Sequence, residues 1–388
     1  MTEIFARKAA ADRTLVGWGK AHRFAGSKDR AAIAARVFAV LRQRNQCAFR
    51  MQSDDARALV IGSLSVVDGL DVEAIAALAT DGSHALGAMS DQERAQLAAA
   101  RVSSDPWVRL NYPEWLHAQL TLAFGDALER EMRALNERAP LDLRVNALKT
   151  SRAEVLRELG DAGVEVVELA NTRHGLRVAA GVDAKVTALA AYGEGRFEIQ
   201  DEASQRAVAL AGARPGETVI DLAAGAGGKA LALTAEMANS GRVIACDIDV
   251  GRLRHSEPRI ERSGATIVEQ AGNPYGGVVS GADLVFVDAP CSGSGTWRRN
   301  PEAKWTLDAA RLETYLQAQA RLLDRAAELL GPGGRVVFAV CSILPCERYE
   351  RVDGFLARHP GWRVDATLDL TPARDGADGF FAARLVQG

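Results

Sequence analysis

From Gly216 onward, short β-rich apolar runs alternate with glycine-containing turns and helical stretches, and no other feature of the chain restricts its fold as much. The runs are Thr218–Leu222, Arg242–Asp247, Thr266–Glu269, Leu284–Asp288 and Arg335–Cys341. Parallel neighbours need a crossover between them, and the intervening helices supply it. The expected fold is α/β, with a Rossmann-like, doubly wound, mainly parallel sheet. Trp362–Val364 and Phe380–Leu385 would add two more strands.

Two other textures precede this rhythm. Up to about Ala139 the pattern is helical: Ile33, Val37, Phe38 and Leu41 share one face of Ser27–Leu41, and amphipathic stretches follow at 56–80, 90–101 and 113–136. After Pro140, Leu141–Leu148 alternates like a strand, and Ser151 with Glu154 makes a capping box that opens a helix ending near Gly160–Gly163. Val164–Leu169 and Gly175–Ala179 then read as strands. The expected division is an all-helical domain over 1–138, a small β-α-β module over 139–200 and the catalytic α/β domain over 201–388.

Composition removes several alternatives. With 48% hydrophobic and 25% charged residues, neither long disorder nor a disulfide scaffold is indicated. No run approaches the roughly 18 apolar residues that cross a bilayer, so a cytoplasmic protein without a membrane partner is expected. A net charge of −3 does not announce a polyanion partner, although it leaves room for a local basic groove. The five cysteines, Cys47, Cys246, Cys291, Cys341 and Cys346, form no CxxC pair; reduced thiols, no zinc site and no other metal are expected. A monomer is expected.

The first strand of the α/β region runs into Asp221-Leu-Ala223-Ala224-Gly225-Ala226-Gly227-Gly228-Lys229-Ala230. Small residues here let a cofactor approach the backbone at the start of the next helix. Asp247 ends the second strand, 22 residues after Gly225, where an acid can accept both hydroxyls of an adenosine ribose. The pair fits a nicotinamide dinucleotide or S-adenosylmethionine. A Walker phosphate loop fails, because Ala223 replaces its first glycine and Ala230 its magnesium-binding hydroxyl.

The fourth strand ends in Asp288-Ala-Pro-Cys291-Ser-Gly-Ser-Gly295 and the fifth in Ala339-Val-Cys341-Ser342. Ligands of parallel α/β sheets bind beyond the carboxyl ends of the strands. Neighbouring fourth and fifth strands would therefore bring two thiols and an acid to the crevice onto which the glycine loop opens. Methylation at C5 of a pyrimidine uses this set: a thiolate adding to C6 makes C5 nucleophilic enough to take a sulfonium methyl. An acid at Asp288 would stabilise the adduct near N3, and of the two cysteines one attacks while the other assists release.

These residues resemble the RsmB/Nop/Sun family of RNA (cytosine-5)-methyltransferases, over essentially the whole chain. The signature is DAPCSGSGTWRRNPEAKW at 288–305 followed by Cys341-Ser342, with supporting segments at Phe197–Gln205 and Asp378–Ala383. The amino-terminal domain is similar to the NusB-like RNA-binding domain of members acting on small-subunit ribosomal RNA, and the module at 139–200 to the family's RRM-like linker. The resemblance implies Cys341 as nucleophile, Cys291 as release residue, and an S-adenosylmethionine site at Ala223–Lys229, Asp247, Asn273 and Asp288, with Lys229 reaching the reaction centre. It implies 16S ribosomal RNA as substrate; transfer RNA and a non-catalytic assembly role are the alternatives. Ala223, Ala230, Asn273, Val340 and Arg348 depart from the family's usual Cys, Thr, Asp, Thr and Asn.

Arg298, Arg299, Lys304 and Trp305 follow the fourth strand and are expected to clamp RNA phosphate and stack a base. Trp107 and Trp115 are read as anchors of the helical domain.

Overall fold

Among the described residues, strands occur only after Pro140, and they sort into two sheets. The computed structural model describes residues 1–388 apart from 8, 83–84, 181–184 and 278–279. Two compact units result: Met1–Arg138 with Thr296–Asp308, and Ala139–Gly295 with Ala309–Gly388.

In the second unit, β1 (Asp142–Val145), β2 (Val166–Glu168), β3 (Gly175–Val178) and β4 (Phe197–Ile199) form an antiparallel sheet in the order β2-β3-β1-β4. Its one long helix, Arg152–Asp161, starts at the expected capping box: the Ser151 hydroxyl accepts from the Glu154 amide and the Glu154 carboxylate from the Ser151 amide. Val155 and Leu159 of that helix pack on Leu143, Leu176 and Phe197. The module thus has a fourth strand that the β-α-β reading lacked. At three residues, β4 is too short to show alternation, and burial of Phe197 is what places it.

The large sheet comprises β5 (Thr218–Asp221), β6 (Arg242–Cys246), β7 (Val268–Gly272), β8 (Ala282–Asp288), β9 (Leu330–Val340), β10 (Trp362–Leu370) and β11 (Phe380–Gln387), in the order β10-β11-β9-β8-β5-β6-β7. β5 to β9 pair in parallel; β11 runs antiparallel to both β9 and β10. Alternate residues serve opposite layers. Val219, Phe286 and Val337 face Ala207, Ala211 and Leu233, whereas Ile220, Val285 and Phe338 face Leu322, Leu323 and Phe355. Burial on both faces is why these strands read as unbroken apolar runs. The edge strand β10 is longer than its sequence signal, since only Leu370 of its nine residues is buried and the strand carries no apolar pattern.

A close backbone contact locks the loop after β8. The Gly295 amide donates to the Cys341 carbonyl at 3.0 Å, and the Gly379 amide donates to the Gly295 carbonyl at 2.9 Å. A Cβ on Gly295 would lie 1.8 Å from the Gly379 oxygen. Gly295→Ala is expected to destabilise the protein by about 1–3 kcal/mol in a thermal melt, as overpacking does. Gly160→Ala, where a Cβ meets open space, should leave stability unchanged or raise it by up to about 1 kcal/mol.

The first unit is helical, with Ser27–Met51 its longest element. The expected uninterrupted domain over 201–388 is corrected here, because Thr296–Asp308 folds with the helices. The cause is apolar: Trp297 is fully buried, and Trp305 packs with Ile4, Ala11 and Leu41 while its Nε1–H donates to the Leu41 carbonyl at 2.6 Å. Among the described residues no helix is long and apolar enough to cross a membrane.

Candidate active site

Beyond β5 the chain turns through Gly225 and Gly227 at φ +55° and +79°, a region glycine enters without strain, and starts the helix Gly228–Glu236. Asp247, buried just past β6, ties this turn down. Its Oδ2 accepts the Gly225 amide at 2.8 Å and its Oδ1 the Asp249 amide at 2.8 Å. Arg259 braces the loop from the other side, donating to the Ala226 carbonyl at 2.7 Å while pairing with buried Glu198 of β4 at 2.8 Å.

β8 and β9 are neighbours, with Asp288 opposite Ala339, so the residues that follow converge. The Cys291 and Cys341 sulfurs lie 3.4 Å apart, both as free thiols. Lys229, from the helix after the glycine turn, pairs its Nζ with Asp288 Oδ2 at 2.6 Å. Burial pulls the Lys229 ammonium down, but the charge and hydrogen bond of Asp288 outweigh it and the net direction is up. The Cys291 thiol is held well above its ordinary value, first by its hydrogen bond with Cys341, then by burial and the charges of Cys341 and Glu347. Asp221, fully buried at the end of β5, is pushed up to about 7 by burial and then by the charge of Asp288.

The cysteine loops share an anchor that the sequence reading missed. Fully buried Glu347 accepts the Ser292 amide at 2.8 Å, the Ser342 hydroxyl at 2.6 Å, Gln319 Nε2 at 3.1 Å and the Ser292 hydroxyl. A signal was present: each strand end carries a Cys-Ser pair, and two buried hydroxyls at one sheet edge require an acceptor.

A cavity of about 470 Å³ runs between Asp247, Ile248 and Tyr275 at one end and Asp288, Cys291 and Cys341 at the other. Its residues suit an adenosyl sulfonium. Asp247 would take the ribose hydroxyls, and Ile248, 74% exposed although aliphatic, offers a flat apolar face to a purine. The sulfonium end would lie toward the cysteines. Ala223 lines the cavity, whereas Ala224 packs into the core and the Ala226 and Gly228 carbonyls accept from Arg259 and Gln200. Asn273 is exposed and outside this lining; its Oδ1 accepts the Tyr275 amide at 2.9 Å and keeps one lone pair for a further donor.

Two of the expected phosphate contacts are corrected. Lys304 is fully buried, its ammonium donating to the Asn111 carbonyl at 3.0 Å and to Asn136 Oδ1 at 2.5 Å. Burial, then the charge of Arg42, pulls its pKa down to about 7. Arg298 is only 5% exposed, and its carbonyl accepts from Arg42 at 3.1 Å. Both side chains serve the packing of Thr296–Asp308 rather than a solvent-facing clamp; Arg299 is half-buried.

A Rossmann-like sheet, a glycine turn held by an acid at the second strand's end and a cavity leading to a nucleophile define an S-adenosylmethionine-dependent methyltransferase. Comparison with known proteins narrows this class. The family model for 16S rRNA methyltransferase RsmB/F matches residues 207–386, and that for the RsmF/B-like ferredoxin-like domain matches residues 112–185. Ribosomal RNA small subunit methyltransferase B of Klebsiella pneumoniae is 33% identical over 314 residues, covering 78% of this chain and 72% of that one. The probable enzyme of the same name from Synechocystis is 31% identical over 297 residues, covering 71% of this chain and 66% of its own length. A solved methyltransferase homolog from Pyrococcus horikoshii shares the fold, with a TM-score of 0.66 at 24% identity over 74% of this chain and all of that one. The chain belongs to the RsmB/F family of RNA methyltransferases.

Proposed function

We propose that this protein methylates C5 of a cytosine in small-subunit (16S) ribosomal RNA, in the cytoplasm, through a covalent adduct between Cys341 and C6. The observation that carries the reading is the pair of sulfurs 3.4 Å apart in the cavity that also holds Asp288. A cytosine C5 attacks nothing unaided; a sulfur on C6 makes it enamine-like. Cys341 supplies that sulfur, forming the Sγ–C6 bond. The Lys229–Asp288 pair presents a donor and an acceptor to the base edge that bears N3 and the amino group. S-adenosylmethionine, when bound, supplies an electrophilic methyl group. After transfer the C5 proton must leave and the Sγ–C6 bond break, restoring the aromatic ring.

Cys291 is placed for that proton. While Cys341 is free, its hydrogen bond, together with burial, keeps the Cys291 thiol protonated. Once Cys341 is a thioether, both its hydrogen bond and its charge are withdrawn, so the Cys291 pKa falls and more of it stands as the thiolate that can take the proton.

The test is transfer of labelled methyl from S-adenosylmethionine to small-subunit ribosomal RNA, with DNA of the same sequence as control and bisulfite sequencing to locate the product. Wild type should protect a cytosine, and Cys341→Ala should lose about 10⁴-fold or more of the rate, as loss of a nucleophile does. Label in the DNA, or in transfer RNA alone, would overturn the substrate assignment.

A further inference from the structure

Two sulfurs that act at different steps of methyl transfer stand side by side as free thiols, and such a pair has a reaction of its own. The Cys291 and Cys341 sulfurs are 3.4 Å apart, about 1.4 Å more than a disulfide bond. The segments that carry them stay together. The Ala289 amide donates to the Ala339 carbonyl at 2.9 Å, and the Ser292 and Ser342 hydroxyls lie 3.4 Å apart on one Glu347. Neighbouring strands are ~4.8 Å apart, inside the roughly 4.4–6.8 Å between α-carbons that a disulfide spans. Closing the gap asks for side-chain rotation rather than a rebuilt backbone.

Environment separates this pair from the other three cysteines. Cys291 and Cys341 are half-buried and line the cavity of about 470 Å³, which admits a small solute. Cys47, Cys246 and Cys346 are buried outside that lining, and burial pushes each thiol up to about 12. The Lys229 ammonium, paired with Asp288, is also near enough to Cys341 for their charges to interact. Thiols that react sit in electropositive, partly exposed surroundings, whereas buried ones are inert.

We propose that Cys291 and Cys341 form a site of reversible oxidation by hydrogen peroxide, closing to an intramolecular disulfide that stops methylation. The Cys341 thiolate attacks one peroxide oxygen and the O–O bond breaks. The displaced hydroxide leaves as water, with the proton that the thiol had lost. The Cys291 sulfur then attacks the Cys341 sulfenic sulfur, forming the S–S bond, breaking the S–O bond and releasing a second water with the Cys291 proton. Two thiols lose two electrons and one peroxide becomes two waters. The bridge ties up nucleophile and proton acceptor together. It also spares Cys341, because a sulfenic acid with no thiol beside it goes on to sulfinic acid, which dithiols do not reverse. That oxidation stops methylation rests on the functional reading above; formation of the bridge does not.

The experiment exposes the full chain to graded hydrogen peroxide, then alkylates and digests it without reductant. Peptides are read by mass spectrometry beside methyl transfer to small-subunit ribosomal RNA. The expected product is a linked Cys291–Cys341 peptide, at peroxide doses that leave Cys47, Cys246 and Cys346 unmodified. Methyl transfer should fall in step with linkage, by about 10⁴-fold in fully linked protein, as for loss of the nucleophile, and return with dithiothreitol. Cys291→Ser given the same peroxide should carry Cys341 to sulfinic acid, with no recovery in dithiothreitol. Wild-type Cys341 oxidised to sulfinic acid without a linked peptide, or linked to Cys346 instead, would overturn the proposal. So would full methyl transfer by the linked protein. A linked peptide in a protein whose reduced form methylates no RNA would overturn the functional reading alone.

Discussion

Cys291→Ala, incubated with S-adenosylmethionine and small-subunit ribosomal RNA, should accumulate a covalent protein–RNA species that survives a denaturing gel, while Cys341→Ala forms none. The expectation follows from where each sulfur stands in the sequence of bonds. Removing the nucleophile prevents the Sγ–C6 bond; removing the group that takes the C5 proton leaves that bond formed and the methyl already transferred. Multiple turnover in Cys291→Ala should fall by about 10²- to 10⁴-fold, the usual worth of a positioned general base. The first methyl transfer should be much less affected, because alanine removes the hydrogen bond and much of the crowding at Cys341 without touching the Lys229–Asp288 pair. Single-turnover incorporation measured beside the gel separates the two steps. Adduct in Cys341→Ala and none in Cys291→Ala would reverse the roles. Free turnover by Cys291→Ala at the wild-type rate would place the proton acceptor elsewhere.

What could be read in advance depended on whether a residue's environment was set by its own strand or by distant chain. The meeting of Cys291 with Cys341 was legible because strand ends in a parallel sheet share one edge, so neighbouring strands suffice to bring the residues after them together. Asp247 was legible for the same reason. Lys304 and Arg298 were not: a charged side chain in a loop reads as solvated, and only Asn111, Asn136 and Arg42, far away in sequence, create the interior into which Thr296–Asp308 folds. Glu347 was hidden by the opposite error, because an acid two residues past a proline reads as a turn residue until its four donors are assembled around it. Asn273 was placed by resemblance alone, and the structure sets it outside the cavity lining, its Oδ1 accepting the Tyr275 amide.

Glu347→Gln should lower the rate of methyl transfer by roughly 10- to 100-fold, because small misplacement of reacting groups is costly. Glutamine keeps the shape but turns one acceptor oxygen into an NH₂ that faces donors, in a site buried from water. That NH₂ must face either the Ser292 amide and Gln319 Nε2 on the Oε1 side or the Ser292 and Ser342 hydroxyls on the Oε2 side, so one pair of bonds is lost or reversed, and with it the register of the two cysteine loops relaxes. Affinity for S-adenosylmethionine should hold, since Asp247 and the glycine turn make no contact with this network. A second measurement distinguishes positioning from bulk stability. The Cys291 thiol is held up first by its hydrogen bond with Cys341 and then by burial, and the negative charge of Glu347 adds in the same direction. Removing that charge must move the pKa down, so alkylation of Cys291 by iodoacetamide, followed by peptide mass spectrometry, should have its midpoint at lower pH in Glu347→Gln. A lower melting temperature with an unmoved alkylation curve and wild-type turnover would leave Glu347 a packing residue and nothing more.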